Sequence, residues 1–145
     1  MRRLAIGTAV LGAAMLQAGS TASFADNLAG VNQLLCTAVQ ATGCHDDGEC
    51  TSDLPWNLNV PQFIQIDLTA KRLQTTKASG ENRSTPIEFL KRDGGLIVLQ
   101  GFERGRAFSF VIEEDTGMAS VAVAAPGRAV VVFGACTPMP EGMAR

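Results

Sequence analysis

The sequence has a single histidine, His45, among its 145 residues, and it lacks the short motifs that carry most enzymatic and redox chemistry. No serine or cysteine lies in a nucleophile-elbow motif, and no glycine-rich phosphate-binding loop is present. The cysteines form no CxxC pair, and their spacings match no zinc-binding pattern. We therefore predict a protein that is not an enzyme and that has no catalytic residue, no metal site and no cofactor.

Positive charge is also scarce. The chain has 12 Lys and Arg residues against 14 Asp and Glu residues, a formal net charge of −2. Without residues 1–25, which contain Arg2 and Arg3 but no acidic residue, 10 basic residues face 14 acidic ones and the net charge is −4. Binding to nucleic acid or to an anionic membrane surface needs a basic face, so neither partner is predicted.

The N-terminus has the features of an export signal. Arg2 and Arg3 precede the uncharged apolar run of residues 4–18, and Ser23 and Ala25 place small side chains at the positions that a signal peptidase reads. The alternative, a membrane anchor, is less favoured because the run is shorter than the roughly 20 residues that span a bilayer. We predict a cleaved signal peptide at residues 1–25 and one domain at residues 26–145. The mature protein is expected to be a periplasmic or secreted bacterial monomer that is not inserted in the membrane.

The four cysteines are an even set in a chain expected to be exported, so we predict two disulfides. Three connectivities are open, and we favour Cys44–Cys50 with Cys36–Cys136. The first pair closes a short polar loop, and the second ties the N-terminal segment to the last strand. In the chain-entropy model, a bridge across about a hundred residues stabilises the fold by ~4 kcal/mol.

The loop after Cys44 is the most concentrated polar cluster, with His45, Asp46, Asp47 and Glu49. Its carboxylates lack the alternating spacing of a calcium loop, so we interpret it as a solvated turn. A metal-assisted hydrolase that uses the His45 loop and a carboxylate such as Asp67 is the less favoured alternative.

Residues 96–136 alternate apolar runs with short polar turns, which is typical of antiparallel strands. Period two places Phe108, Phe110 and Ile112 on one face of a strand, and Gly117 suits the turn that follows. Similar patterns at residues 63–68, 72–76 and 84–90 bring the count to about seven. We predict a mainly β meander that rolls into a small barrel, with an open sheet covered by a helix as the alternative.

Six phenylalanines are expected to fill the barrel interior. They are Phe63, Phe89, Phe102, Phe108, Phe110 and Phe133.

A short N-terminal helix is predicted to precede the sheet. Leu28, Val31, Leu35 and Ala38 lie at helical spacing, which predicts one apolar face packed on the sheet. Asp26 or Asn27 would cap its start, and Gly43 would end it.

Four phrases carry a resemblance to known sequences: VPQFIQIDL, STPIEFL, LIVLQG and VVFGACTP, in that order. They resemble phrases of a group of small exported proteobacterial proteins of unknown function. The resemblance covers roughly residues 35–138 and rests on strands and turns. It implies no activity, cofactor or catalytic residue.

The function predicted from the sequence is therefore binding, either of a small apolar ligand or of a protein partner in the periplasm. The protein-binding version includes an inhibitor or accessory factor of an envelope enzyme. It would leave an exposed apolar patch rimmed by Arg83, Arg104 or Arg106, although arginines in turns are commonly solvated. A carrier would instead need a cavity inside the barrel.

Overall fold

The architecture of the chain comes from a computed structural model that describes residues 27–76, 79 and 82–139. The predicted signal peptide, residues 1–25, lies outside the described residues. Within them the chain forms ten strands and one short 3-10 segment, Pro55–Leu58. The strands are β1 Gln33–His45, β2 Cys50–Asp53, β3 Phe63–Asp67, β4 Arg72–Thr75, β5 Ser84–Pro86, β6 Phe89–Asp93, β7 Leu96–Glu103, β8 Arg106–Glu113, β9 Met118–Ala125 and β10 Arg128–Pro138.

Nine strands form one curled antiparallel sheet in the order β5-β4-β3-β1-β10-β9-β8-β7-β6, and β2 pairs with β1 beside this path. The sheet is a half-barrel, so the predicted mainly β, antiparallel fold is confirmed. From β6 to β10 each strand pairs with the next one in the chain. β1 departs from this simple meander because it lies between β3 and β10.

The two ends of the curled sheet are joined by one stretch of chain, because β5 and β6 are separated only by Ile87 and Glu88. The amide of Ile87 donates to the carbonyl oxygen of Lys71 at 2.9 Å. The amide of Glu88 donates to the carbonyl oxygen of Gln100 in β7, also at 2.9 Å. The chain therefore changes partner between these residues and bridges the two ends of the half-barrel.

The predicted N-terminal helix is wrong, because residues 33–45 are strand β1. Leu34 and Cys36 are buried at alternate positions, and the register then shifts between Ala38 and Gln40. The shift is a β-bulge that leaves Val39 65% exposed and moves the buried position to Ala41. The residues at helical spacing belong to two different segments, since Leu28 and Val31 precede β1 whereas Leu35 and Ala38 lie within it.

Both disulfides link β1 to a neighbouring strand. Cys36 lies directly opposite Cys136 of β10, and Cys44 lies directly opposite Cys50 of β2. These are the pairs favoured from the sequence. The first is buried within the core and the second is at the solvent-facing end of β1. In the described part of the chain, no helix is long and apolar enough to cross a membrane.

The segment before β1 is fixed against the sheet by a buried side chain and by polar contacts. Leu28 is fully buried, and its amide donates to the carbonyl oxygen of Glu114 at 2.7 Å. Arg92 forms an ion pair with Glu114 at 2.9 Å and also donates to the carbonyl oxygen of Val31. This end of the half-barrel is therefore filled by side chains.

Candidate ligand-binding cavity

The interior contains two apolar clusters and a cavity of about 170 Å³ that is lined by members of both. The larger cluster fills the end beside Leu28, and the smaller one is centred on Ala41, Val130 and Val132. An apolar cavity of roughly 150 Å³ in another protein holds one benzene molecule. The space is therefore large enough for a small ring or a short alkyl chain.

Strands β8, β9 and β10 form one wall of the cavity, and residues of β1, β3, β4 and β5 also line it. Each of β8, β9 and β10 contributes side chains at alternate positions, as expected for the concave face of a sheet. Phe108 and Phe110 stand edge to face, with ring centroids 5.9 Å apart. The apolar residues that these strands contribute to the lining are Phe108, Phe110, Ala119, Val121, Val123, Ala125, Val130 and Val132.

One side of the cavity is covered by residues 58–61, which follow the 3-10 segment. Leu58 and Val60 pack against the smaller apolar cluster. Asn59 takes a left-handed conformation with φ of 59°, and its amide donates to the carbonyl oxygen of Trp56. The carboxylate of Asp53 accepts hydrogen bonds at the start of the same segment, from the amide of Leu54 at 2.7 Å and from the side chain of Asn57 at 2.9 Å.

Four charged side chains line the cavity, namely Arg83, Glu103, Arg106 and Arg128. We call them the polar rim. One carboxylate oxygen, Oε2 of Glu103, lies 3.6 Å from Nη1 of Arg83 and 4.0 Å from Nη2 of Arg106. Among the described residues that line the cavity, three are arginines and one is a glutamate, in a chain whose formal net charge is −2.

Strand register explains why the polar rim assembles. Glu103 ends β7 directly opposite Arg106, the first residue of β8, because Arg104 and Gly105 form a two-residue turn with positive φ at both positions. Arg128 begins β10 opposite Ala125, the last residue of β9. The charged positions are therefore at the same end of neighbouring strands.

Arg83 reaches the rim from the other end of the sheet. It lies just before β5, and its amide donates to the hydroxyl oxygen of Thr75 at 2.8 Å. Its carbonyl oxygen accepts the amide of Thr75 at 3.0 Å, which fixes Arg83 beside β4. Its side chain is only 13% exposed, so it is an inner wall of the cavity rather than a solvated loop arginine.

The residues of the His45 loop do not line this cavity, although His45 pairs in register with Arg128 of the polar rim. His45 and the three acidic residues of its loop are exposed, and the amide of Glu49 donates to a carboxylate oxygen of Asp47 at 2.9 Å. Asp67, the carboxylate considered for a hydrolase, pairs with Gln33 at the opposite end of β1 from His45. Across residues 27–76, 79 and 82–139, no group of three or more His, Cys, Asp or Glu residues is placed to hold a metal ion.

The expected filling of the interior by phenylalanines is wrong in part. Phe110 is buried and Phe108 lines the cavity, but Phe89, Phe102 and Phe133 are each about half exposed, at 47%, 54% and 50%. The interior is filled instead by leucine, isoleucine and valine, which leaves room for the cavity.

The convex side of β8, β9 and β10, which we call the outer face, is apolar and exposed. Residues 107–111, 118–124 and 129–135 contain no charged residue at all. The large apolar side chains that the outer face exposes are Val111, Met118, Val131 and Phe133.

Sequence reasoning missed Arg128 and treated Arg83 and Arg106 as surface residues. A signal for two of them was present: Arg106 is two residues before Phe108, and Arg128 is two residues before Val130, so each continues an inward-facing alternation. Compared with known proteins, the chain matches no protein-family model and no curated protein.

Proposed function

We propose that the protein is a non-enzymatic binding protein that holds a small apolar ligand in the cavity between β8–β10 and residues 58–61. The observation that carries this proposal is the cavity itself, which is about 170 Å³ in volume and whose lining includes ten valine, alanine and phenylalanine residues. Concave apolar spaces with a few convergent polar groups are the usual form of small-molecule sites.

We also propose that binding takes place outside the cytoplasm of a bacterium, in the periplasm or the medium. The signal-like residues 1–25 motivate this location. Two disulfides are compatible with it, since disulfides persist in oxidising compartments. The resemblance to small exported proteobacterial proteins points the same way.

Hexan-1-ol is a suitable neutral probe for the cavity, followed by ¹H–¹⁵N NMR on the mature, disulfide-bonded protein. We expect saturable shifts in the amides of Val121, Val123 and Val130. Val123→Phe adds a ring to the cavity wall and should abolish these shifts. Ala124→Phe, at the exposed neighbouring position of the same strand, is the matched control and should leave them unchanged. Hexanol shifts that are absent, or that survive Val123→Phe, would refute a ligand site here.

A protein partner is the second candidate function, and the outer face favours it. An uncharged, exposed apolar surface of this kind is characteristic of protein interaction sites. Such a partner would include an envelope enzyme that the protein inhibits or assists. Phe133→Glu should then prevent cross-linking to that partner in periplasmic extract, whereas Val123→Phe should not. Equal cross-linking by Phe133→Glu and the wild-type protein would exclude the outer face as the binding site of a protein partner.

A further inference from the structure

The charges of the polar rim indicate what kind of apolar ligand the cavity takes. Arg83, Arg106 and Arg128 supply three positive charges, and Glu103 supplies the only negative charge among the described residues that line the cavity. Partly buried charges interact more strongly than exposed ones because water screens them less. A ligand that brings a negative charge to this rim therefore lowers the electrostatic energy of the site.

Glu103 does not form a close ion pair with Arg106. Its Oε2 atom lies 3.6 Å from Arg83 and 4.0 Å from Arg106, whereas a charge-assisted hydrogen bond between such groups is about 2.7–2.9 Å long. One carboxylate oxygen is shared by two cations in this arrangement. A second anionic group can therefore bind without displacing an optimal ion pair.

Arg128 supplies an independent observation. Its Nη2 atom donates weakly to the carbonyl oxygen of Leu58, at 3.4 Å, and its Nε atom is buried without a hydrogen-bond partner. Over the described residues, no carboxylate lies within 4.0 Å of its guanidinium. A buried donor without an acceptor is destabilising, and an anionic oxygen at the rim would supply that acceptor.

We propose that the ligand is a small amphipathic anion, with an apolar body about the size of a benzene ring or a hexyl chain and one terminal carboxylate or phosphate. The body lies among Val121, Val123 and Phe108, and the anionic group binds Arg106 and Arg128 at the rim. This inference rests on the proposed ligand-binding function and adds the chemical class of the ligand. Arginine suits the role because its planar guanidinium presents paired donors to carboxylate and phosphate oxygens.

The charges of the polar rim predict the relative affinities of ligands that have the same apolar body and different head groups. An anionic head group is attracted by the positive charges of Arg106 and Arg128, a neutral hydroxyl gains little, and an ammonium group is repelled. The order expected is therefore hexanoate, then hexan-1-ol, then hexylamine. Hexyl phosphate tests the second anionic chemistry, and its affinity relative to hexanoate decides between the two head groups.

The experiment is a titration of the mature protein with these four probes, followed by NMR and calorimetry at low and at high salt. Hexanoate or hexyl phosphate should bind about tenfold more tightly than hexan-1-ol, since hydrogen bonds to charged groups are the strong ones. The preference should shrink at high salt. Hexylamine should bind more weakly than hexan-1-ol.

Arginine variants locate the anion site. Arg106→Gln and Arg128→Gln should each weaken anion binding about tenfold while changing hexan-1-ol binding less than about twofold. Arg106→Lys, which keeps the charge, should retain part of the preference. Arg104→Gln, in the exposed turn beside Arg106, is the matched control and should bind all probes like the wild-type protein.

The outcomes separate this inference from the function it rests on. If hexan-1-ol binds as tightly as both anions, the anionic class is wrong and the apolar cavity stands. If Arg106→Gln and Arg128→Gln leave the anion preference intact, the assignment of the anion to these arginines is wrong. If neither the alcohol nor an anion binds, or if Val123→Phe binds all of them normally, the ligand site itself is wrong.

Discussion

Gly101 of β7 lies against the carbonyl oxygen of Pro86 in β5, and a Cβ atom at residue 101 would be only 2.8 Å from that oxygen. The same Cβ would overlap the ring of Phe108, which lines the cavity. The amide of Glu88 donates a hydrogen bond to the carbonyl oxygen of Gln100, the residue before Gly101. The lack of a side chain at residue 101 is therefore what allows the two ends of the half-barrel to meet.

Gly101→Ala should lower the free energy of unfolding by about 2–4 kcal/mol, because either the backbone of Pro86 or the ring of Phe108 must move. Urea unfolding followed by circular dichroism measures the change. Gly43→Ala is the control, since a Cβ there would make an ordinary contact of 3.6 Å with Leu58. Equal free energies of unfolding for the two variants would mean that Pro86 and Gly101 do not lie in close contact.

The two disulfides should differ in both accessibility and contribution to stability. Cys36 and Cys136 are 7% and 2% exposed, whereas Cys50 is exposed at the end of β2. Graded reduction with rapid alkylation and mass spectrometry should therefore open Cys44–Cys50 first. Opening of Cys36–Cys136 before or together with it would contradict the burial of that bridge.

Removing each bridge by paired alanine substitution tests the energetic difference. In the chain-entropy model, a bridge that spans 100 residues stabilises by about 4.7 kcal/mol, and one that spans 6 residues by about half as much. Cys36→Ala with Cys136→Ala should therefore destabilise more than Cys44→Ala with Cys50→Ala. Equal urea midpoints for the two double variants would refute this ranking.

Most strands from β3 onward could be predicted because their alternation is regular and their turns are short, but the single strand predicted at residues 84–90 is wrong, since β5 ends at Pro86 and β6 begins at Phe89. Phe110 and Ile112 are buried as period two requires, and Gly117 has positive φ in the turn that follows. β1 could not be predicted in the same way, since the bulge at Val39 interrupts its alternation. Its strand form is set by pairing with β3 and β10, which are distant in sequence.

The candidate site was less predictable than the fold. Whether an arginine at a turn is solvated or lines a cavity depends on which strands curl around it, and local sequence does not contain that information. Arg83 and Arg106 meet at Glu103 although Arg83 lies just before β5 and Arg106 is the first residue of β8. The His45 loop was a candidate for a metal-assisted hydrolase only because of its composition, and the structure shows it as a surface turn closed by a disulfide.

The phenylalanines offer a direct test of which residues form the core. Phe110→Ala should cost about 3–5 kcal/mol of stability, because it removes a buried ring from the larger apolar cluster. Phe133→Ala, on the outer face, should cost less than about 1 kcal/mol since its ring is half exposed. Thermal and urea unfolding measure both. A larger loss for Phe133 than for Phe110 would reverse the assignment of the concave and convex faces.

Asp53 links the acid stability of the protein to the segment that covers the cavity. The hydrogen bond from Asn57, and then the one from the amide of Leu54, hold the pKa of the Asp53 carboxyl below its ordinary value of 3.8. Because this pKa is lower in the folded than in the unfolded chain, the stabilisation is present above about pH 4. It is lost as the pH falls through the folded pKa.

Asn57→Ala should raise the pKa of Asp53 toward its ordinary value, as measured by NMR titration of the carboxyl carbon. Asn82→Ala, remote from these bonds, should leave the titration unchanged, and identical titration curves for the two variants would show that Asn57 does not hold this carboxylate.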